Sequence, residues 1–303
     1  MGTTKKSKNQ KIIKKQVNKA IKRIPLGIVI CILIVGCIVG YLYYKKINDN
    51  KDSTNENNIK GNVAYLVQEG TTVDDVKITF LELFGTNGNP QIGDSVFIEC
   101  GDIDILIDAG EKASGSNTVV PFIEEHVSDN ILELVIVTHA DSDHLGGMVG
   151  LSNSYGALEV PGITYQYIVD FGYEGQTQLY KDYLEVRNKK IKEGTKYFSI
   201  GSIFDSDHLE AITRFYLGVD TYLDLLDYKT YEISEITDDN DRSVSCLLTH
   251  NDKKVLLCGD AEKKEEAYLT SLNIGHVDVF KANHHGSPTS NTNAFLDNIT
   301  PNY

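Results

Sequence analysis

The longest block of apolar residues lies near the start of the chain. Residues 26–44 read LGIVICILIVGCIVGYLYY, 19 residues without a charged side chain. As a helix this run is roughly 28 Å long, close to the hydrocarbon thickness of a bilayer. Basic residues precede it, and a polar, asparagine-rich segment follows. The pattern predicts a cytoplasmic tail (1–24), one transmembrane helix (25–44) and a flexible tether (45–61), with the remaining body outside the cell.

Two other interpretations of this run also place the body outside the cell. A cleaved signal peptide is the first, although the run is long for one and no A-x-A site follows it. A lipoprotein is the second, because the four residues ending at Cys37 resemble a lipobox. Seven more apolar or small residues follow Cys37, where a lipoprotein normally becomes polar, so the anchor is the favoured interpretation.

The body, residues 62–303, alternates between short apolar runs and helical patterns. Runs rich in β-branched and aromatic residues predict strands at 77–84, 94–100, 104–110, 132–138, 243–250, 254–260 and 277–283. Apolar stripes of helical period predict helices at 118–129, 176–193, 205–216 and 261–272. Strands followed by helices, twice over, predict an α/β fold, a four-layer αββα sandwich.

Charge is divided unevenly between the tail and the body. The whole chain has a formal net charge of −14, of which the first 24 residues contribute nine positive charges and no negative one, so the rest carries −23. Such a body argues against non-specific nucleic-acid binding, which needs cationic surface. A local basic patch or bound metal ions would still hold a phosphate. The cysteines have no regular spacing and predict no disulfide framework.

A cluster of metal-ligand types follows the strand at 132–138. The loop THADSDHLGG contains His139, Asp141, Asp143 and His144 within six residues. Imidazole and carboxylate together suit zinc, manganese or iron, and a tight loop with this spacing can face two adjacent cations. The alternative is a solvated polar loop, which this density of ligands at a strand end disfavours.

Two further strand ends carry similar residues. Asp260 follows the strand in LLCGDAE, and His284 and His285 follow the strand in VFKANHHGS. An isolated Gly-Asp is more readily structural than functional, and an isolated His-His pair is as readily one as the other. Three such motifs at strand ends in one chain together predict a metal centre.

These motifs resemble the metallo-β-lactamase superfamily. Asp141, in the place of the commoner second histidine, resembles the ComEC-type competence proteins and their stand-alone relatives. The segments around the Gly93-Asp94-Ser95 and Leu106–Gly110 motifs resemble the same subgroup. The similarity covers about residues 76–300 and is specific for the fold rather than for a substrate.

The resemblance implies a role for each motif residue. The implied ligands are His139 and Asp141 for a first metal ion, Asp143, His144 and His284 for a second, and Asp260 as the bridge between them. The implied catalytic residues are Asp143 and His285, with His285 available for substrate or proton transfer. His284 is favoured over His285 as the ligand because it lies nearer the strand. Asp108 is expected to orient the ligand loop from behind.

The chain departs from the superfamily pattern in two places. Relatives supply another histidine between the signature loop and the bridging aspartate, where this chain has only His208 and His250, neither well placed. Residues 240–243 are the counterpart of an Asn/Ser segment in the subgroup, and the first metal ion is expected to be held weakly. The chain ends at FLDNITPNY, where relatives continue through a last strand and helix, so we expect a truncated domain.

The expected function is metal-dependent hydrolysis outside the cell. Two divalent ions, zinc or alternatively manganese, would lower the pKa of a water and supply the nucleophile. The resemblance favours phosphoester or phosphodiester bonds in a small molecule or a surface polymer. The alternatives are a ComEC-like DNA nuclease, a lactamase or lactonase, and a non-catalytic metal-binding surface module. Turnover of a phosphodiester, of DNA or of a lactam discriminates among the enzymes, and metal binding without turnover identifies the module.

Overall fold

Two six-stranded sheets of mixed direction form the centre of the computed structural model, which describes residues 62–200, 212–226 and 233–303. The first sheet has the order β2 (Lys77–Phe80), β3 (Val96–Cys100), β4 (Ile103–Ile107), β5 (Ile131–Val137), β6 (Thr164–Asp170) and β7 (Lys196–Ser199). The second has the order β1 (Asn62–Tyr65), β8 (Ile212–Gly218), β9 (Thr221–Leu225), β10 (Cys246–His250), β11 (Lys253–Leu257) and β12 (Val279–Phe280). Strands β4 to β7 run parallel, as do β11 and β12.

Helices connect or follow these strands. They are α1 (Lys112–Ser114), α2 (Val120–His126), α3 (Ser142–Leu145), α4 (Gln178–Glu193), α5 (Lys263–Ser271) and α6 (Asn293–Ile299). The longest, α4, begins where the Thr177 hydroxyl accepts the N–H of Tyr180 at 3.1 Å and ends at Gly194, whose φ of +112° suits glycine. The predicted helix at 176–193 is therefore confirmed almost to the residue.

The main core lies between the two sheets. Phe215 of β8 packs against Tyr167 of β6 and Phe198 of β7, with ring centroids 5.5 and 6.2 Å apart. A second core lies between the second sheet and the helices α5 and α6, around Leu256 and Phe295. On the first sheet, α2 contributes Phe122 and Ile123 to the main core. Helices thus pack on both sheets, and the predicted α/β sandwich of two sheets is confirmed.

One predicted helix is wrong over the residues that the structure describes. Residues 212–216 belong to β8, in which every second side chain is buried, because the strand pairs with β1 on one side and β9 on the other. Residues 205–211 and His208 lie outside the described residues. Strands β1, β6, β7 and β9 are absent from the sequence prediction.

The tail, anchor and tether predicted for residues 1–61 lie outside the described residues. Within the described ranges, none of the helices combines the length and the apolar character that crossing a membrane requires.

Candidate metal centre

The predicted site residues follow the carboxyl ends of strands from both sheets. His139 comes shortly after β5, Asp260 after β11, and His285 after β12. The two sheets are joined at this edge, where the N–H of Val244 donates to the carbonyl of Thr138 at 2.9 Å. Side chains that are far apart in the sequence therefore meet at one edge of the sandwich.

Four imidazoles at this edge share one arrangement, in which Nδ1 contacts an oxygen of a neighbouring side chain. The partners are Thr138 Oγ1 for His139 (3.0 Å), Asp108 Oδ2 for His144 (2.8 Å), Glu262 Oε1 for His284 (3.1 Å) and Asp94 Oδ1 for His285 (3.4 Å). A hydrogen bond at Nδ1 fixes the ring orientation and makes Nε2 the nitrogen that can bind a metal ion once it carries no proton.

Three of the four Nε2 atoms converge on Asp260. The Nε2 atoms of His144 and His285 lie 3.1 and 3.2 Å from its two carboxylate oxygens, and Nε2 of His284 lies 3.8 Å away. The fourth histidine, His139, is fully buried and its Nε2 has no hydrogen-bond partner. An unpartnered buried nitrogen costs on the order of 1–3 kcal/mol. A cation at this position would accept its lone pair, so these residues fit a metal ion.

One group of residues has ligand atoms that all lie within 4.8 Å of one another, and among the described residues it is the only such group. Its members are Asp94, His144, Asp260 and His285. Asp94 was not predicted as a site residue. Its motif, an acid between glycine and serine just before β3, was the available signal. Its N–H donates to the carbonyl of Asp143 at 3.1 Å. This contact brings Asp94 to the loop at 138–147, which carries four of the predicted ligands and is called the metal loop below.

The other predicted ligands surround this group. Oδ2 of Asp143 lies 3.2 Å from Nε2 of His285, and Oδ2 of Asp141 lies 3.9 Å from Nε2 of His139. All seven predicted site residues therefore meet at one place. Of the two histidines in the interval where relatives supply another ligand, His208 lies outside the described residues, and Nδ1 of His250 contacts the Thr221 hydroxyl at 2.8 Å.

Close backbone packing holds the metal loop in place. A Cβ on Gly147 would stand 1.9 Å from the carbonyl oxygen of Ala109, so only glycine fits. Behind the loop, the buried Asp108 carboxylate accepts the N–H of Thr138 at 2.8 Å and its hydroxyl at 2.6 Å. The same carboxylate contacts His144, so a buried acid positions both the strand end and a predicted ligand.

Charges in the site oppose one another strongly. Hydrogen bonds to Asp143, Asp260 and Asp94 raise the pKa of His285 to about 11. Burial acts to raise the pKa of Asp260, but its contacts with His144 and His285 hold that pKa well below its usual range. Ionised carboxylates therefore face protonated imidazoles. A divalent cation would replace those protons, as metal binding at histidine and carboxylate sites generally does.

His139 behaves differently from the other histidines. Burial, reinforced by the nearby His144, holds the pKa of His139 well below its ordinary value. Its imidazole is therefore neutral at physiological pH, which is the protonation state that binds a metal ion.

Two curated proteins are similar to this chain in sequence. Recombination protein 2 of Haemophilus influenzae is 24% identical over 203 residues, which are 65% of this chain and 20% of that protein. Competence protein ComA of Neisseria gonorrhoeae is 25% identical over 215 residues, 70% of this chain and 25% of that protein. The chain thus spans about a fifth to a quarter of the length of these relatives. They confirm the resemblance to ComEC-type competence proteins, whereas no family model matches the chain.

Three solved structures similar to this chain are only distantly related to it in sequence. The metallo-β-lactamase fold protein YhfI from Bacillus subtilis is 14% identical, with a TM-score of 0.37, and the match covers 68% of this chain and 70% of YhfI. Human tRNase Z, short form, is 12% identical, with a TM-score of 0.36 and coverage of 74% and 89%. The metallo-β-lactamase FIM-1 from Pseudomonas aeruginosa is 13% identical, with a TM-score of 0.35 and coverage of 76% and 94%.

Proposed function

We propose that the chain is a membrane-anchored extracellular hydrolase that uses divalent metal ions to cleave phosphoester or phosphodiester bonds. The observation that carries this proposal is the convergence of imidazole Nε2 atoms on Asp260, together with the unpartnered Nε2 of the buried His139. A structural polar cluster would pair its own donors and acceptors, because unsatisfied buried groups cost stability. This cluster leaves a ligand atom free.

We propose two divalent ions, zinc by preference and manganese as the alternative, because imidazole and carboxylate ligands suit both. The proposed ligands are His139 and Asp141 for one ion, Asp143, His144 and His285 for the other, and Asp260 between them. His285 replaces His284 in this set because its Nε2 lies 3.2 Å from Oδ2 of Asp260, whereas Nε2 of His284 lies 3.8 Å from the same oxygen. Such ions, when bound, polarise a substrate oxygen and lower the pKa of a water.

His284 then takes the proton-transfer role that the sequence suggested for its neighbour. Its side chain is 29% exposed, and Nδ1 contacts Glu262 Oε1 at 3.1 Å. The Thr289 hydroxyl donates to the same carboxylate oxygen at 2.7 Å, so the acid is itself held in place. A partly exposed imidazole backed by a fixed carboxylate can pass a proton to a leaving group at the mouth of the site.

The substrate class follows from charge and from the relatives. The names of the two curated relatives refer to recombination and competence, which favours a phosphate-containing substrate. The charge of −23 after the first 24 residues disfavours DNA, a polyanion, and we therefore place a phosphorylated small molecule or surface polymer ahead of it. A DNA nuclease is the second candidate, and the same two names favour it.

Metal-dependent turnover by the full-length chain in detergent tests the proposal. Bis-p-nitrophenyl phosphate, single-stranded DNA and nitrocefin are each supplied with zinc or manganese. The Asp143→Ala variant should lose phosphodiester cleavage by 100-fold or more, as expected for a ligand or general-base residue. The matched control, Asp278→Asn, alters a carboxylate that pairs with Lys253 at 3.1 Å and should retain activity.

The other outcomes identify the alternatives. Cleavage of DNA at a rate above that of the small phosphodiester would favour the nuclease. Cleavage of nitrocefin alone would favour a lactamase. Bound metal without turnover of any substrate would favour the non-catalytic module and refute the hydrolase.

A further inference from the structure

The ammonium group of Lys281 joins three segments that carry site residues. It forms an ion pair with the Asp94 carboxylate and donates to the carbonyls of Gly259 and Ala282, each at 3.2 Å. Gly259 precedes Asp260, and Ala282 lies just before the two histidines. The Lys281 side chain is 13% exposed and its ammonium group already contacts three oxygen atoms, so it is not free to bind an anion.

Asp94 stands between Lys281 and His285. Oδ2 of Asp94 contacts the ammonium group, while Oδ1 lies 3.4 Å from Nδ1 of His285. The backbone of Asp94 is also fixed, because its N–H donates to Asp143 and its carbonyl accepts the N–H of Gly110 at 2.9 Å. Nδ1 of His285 therefore faces a carboxylate that cannot easily move.

We propose that Asp94, held by Lys281, is a positioning residue that orients His285 so that its Nε2 faces Asp260 and Asp143 for metal binding. The proposal rests on the proposed function, since it assumes that a divalent ion binds at this centre. A carboxylate behind a metal-bound histidine fixes the tautomer and the ring orientation, and removing it typically weakens metal binding 10- to 100-fold.

The competing interpretation is that Asp94 is itself a ligand, because its carboxylate lies in the group whose ligand atoms are all within 4.8 Å of one another. Lys281 distinguishes the two roles. If Asp94 were a ligand, the ammonium group would compete with the metal ion for its oxygen, and removing Lys281 would strengthen metal binding. If Asp94 positions His285, removing Lys281 releases the carboxylate and weakens metal binding.

The Asp94→Asn substitution acts through the chemistry of the amide. Asparagine has a single acceptor oxygen, which the Lys281 ammonium group would take. The amide N–H₂ group would then face Nδ1 of His285 and favour the tautomer with its proton on Nε2. That tautomer cannot donate an electron pair from Nε2 to a metal ion.

Zinc affinity of the full-length chain in detergent, measured by competition with a chromogenic chelator, tests the inference. We expect Asp94→Asn and Lys281→Met each to weaken binding of one zinc ion 10- to 100-fold. The double variant should be no weaker than Asp94→Asn alone, because the two residues act as one unit. The control is Asp224→Asn, which breaks a comparably buried ion pair with Arg214 (2.6 Å) and should bind zinc as the wild type does.

A second readout is independent of affinity and of turnover. In the zinc-loaded wild-type chain, long-range ¹H–¹⁵N NMR of the histidine rings should show His285 protonated at Nδ1. This signature should be lost in Asp94→Asn and retained in Asp224→Asn. Where Asp94→Asn fails to fold by circular dichroism, Lys281→Met tests the same contact, and Lys281→Arg should restore zinc affinity to within a few-fold of wild type.

Four outcomes would overturn the inference. Unchanged zinc affinity and an unchanged His285 signature in Asp94→Asn would show that Asp94 has no positioning role. Tighter binding in Lys281→Met, or loss of one whole equivalent of zinc in Asp94→Asn, would make Asp94 a ligand. A wild-type chain that binds no zinc or manganese would refute the proposed function as well as this inference. A chain that binds metal with an affinity unaffected by the variants would refute this inference alone.

Discussion

Glu133, on the buried strand β5, should make the fold less stable as the pH rises. Its side chain is 3% exposed, and its carboxylate accepts the N–H of Asp104, on β4, at 2.9 Å. Burial raises the pKa of Glu133 from an ordinary 4.5 to about 7, and nearby acids add to this effect. Burial likewise raises the pKa of Asp104 to about 7.

Proton linkage determines the direction in which the free energy of unfolding changes with pH. Between pH 4.5 and 7 the folded chain keeps a proton on Glu133 that the unfolded chain has released, so stability falls as the pH rises through this window. A difference of about 2.5 pKa units corresponds to about 3 kcal/mol at pH 8. Below the pKa that Glu133 has in the unfolded chain, the folded and unfolded chains both carry the proton, and Glu133 no longer lowers the stability of the fold.

The Glu133→Gln variant removes this pH-dependent loss of stability while keeping an acceptor for the Asp104 N–H. Its new amide N–H₂ has a cost of its own, but that cost does not depend on pH. We therefore expect the free energy of unfolding to fall between pH 5 and pH 8 by about 2.5 kcal/mol less in the variant than in the wild type. The exposed Glu82→Gln serves as a control for the loss of one negative charge.

Urea unfolding followed by far-ultraviolet circular dichroism measures this difference, since the chain has no tryptophan. A chelator should be present throughout, so that pH-dependent metal binding does not contribute. Parallel pH profiles for Glu133→Gln and the wild type would refute the reasoning, because they would show that the carboxyl ionises with similar ease in the folded and unfolded chain.

Three further changes test the scaffold of the site. Gly147→Ala places a Cβ 1.9 Å from the carbonyl of Ala109 and should destabilise the fold by about 1–3 kcal/mol or more, read as a lower melting temperature. Arg187→Met leaves the buried Asp170 carboxylate without its cation and should lower the free energy of unfolding in urea by about 3–5 kcal/mol. Adding Asp170→Asn should recover part of this loss, and no recovery would contradict the ion-pair account. Thr138→Val removes the hydroxyl that donates to the acid behind the metal loop, and should weaken zinc binding about 10-fold in chelator competition while leaving the melting temperature within a few degrees.

Much of the fold could be predicted from the sequence, because local patterns report local structure. The helical stripe of α4 ends at a glycine, and the hairpin of β10 and β11 has a polar turn between two apolar runs. The loop at 138–147 is also a local signal, with four histidine and aspartate residues in six positions after a buried strand. Such elements are determined by residues that are close together in the sequence, so the sequence alone predicts them.

Other elements depend on partners that are distant in the sequence. Residues 212–216 looked helical and are a strand, because pairing with β1 and β9 outweighs their local preference. Glu133 sits in a run that reads as apolar, and only packing against β4 showed that its carboxyl is buried.

The sequence by itself determined which residue types the site contains and which strand ends carry them. The tertiary structure alone decided how they face one another. It brought Asp94 close to His144, Asp260 and His285, placed Nε2 of His285 nearer to Asp260 than that of His284, and paired Asp94 with Lys281. The physical reason is that the geometry of the site depends on ring orientations set by contacts between segments about 190 residues apart, and no pattern within one segment records those contacts.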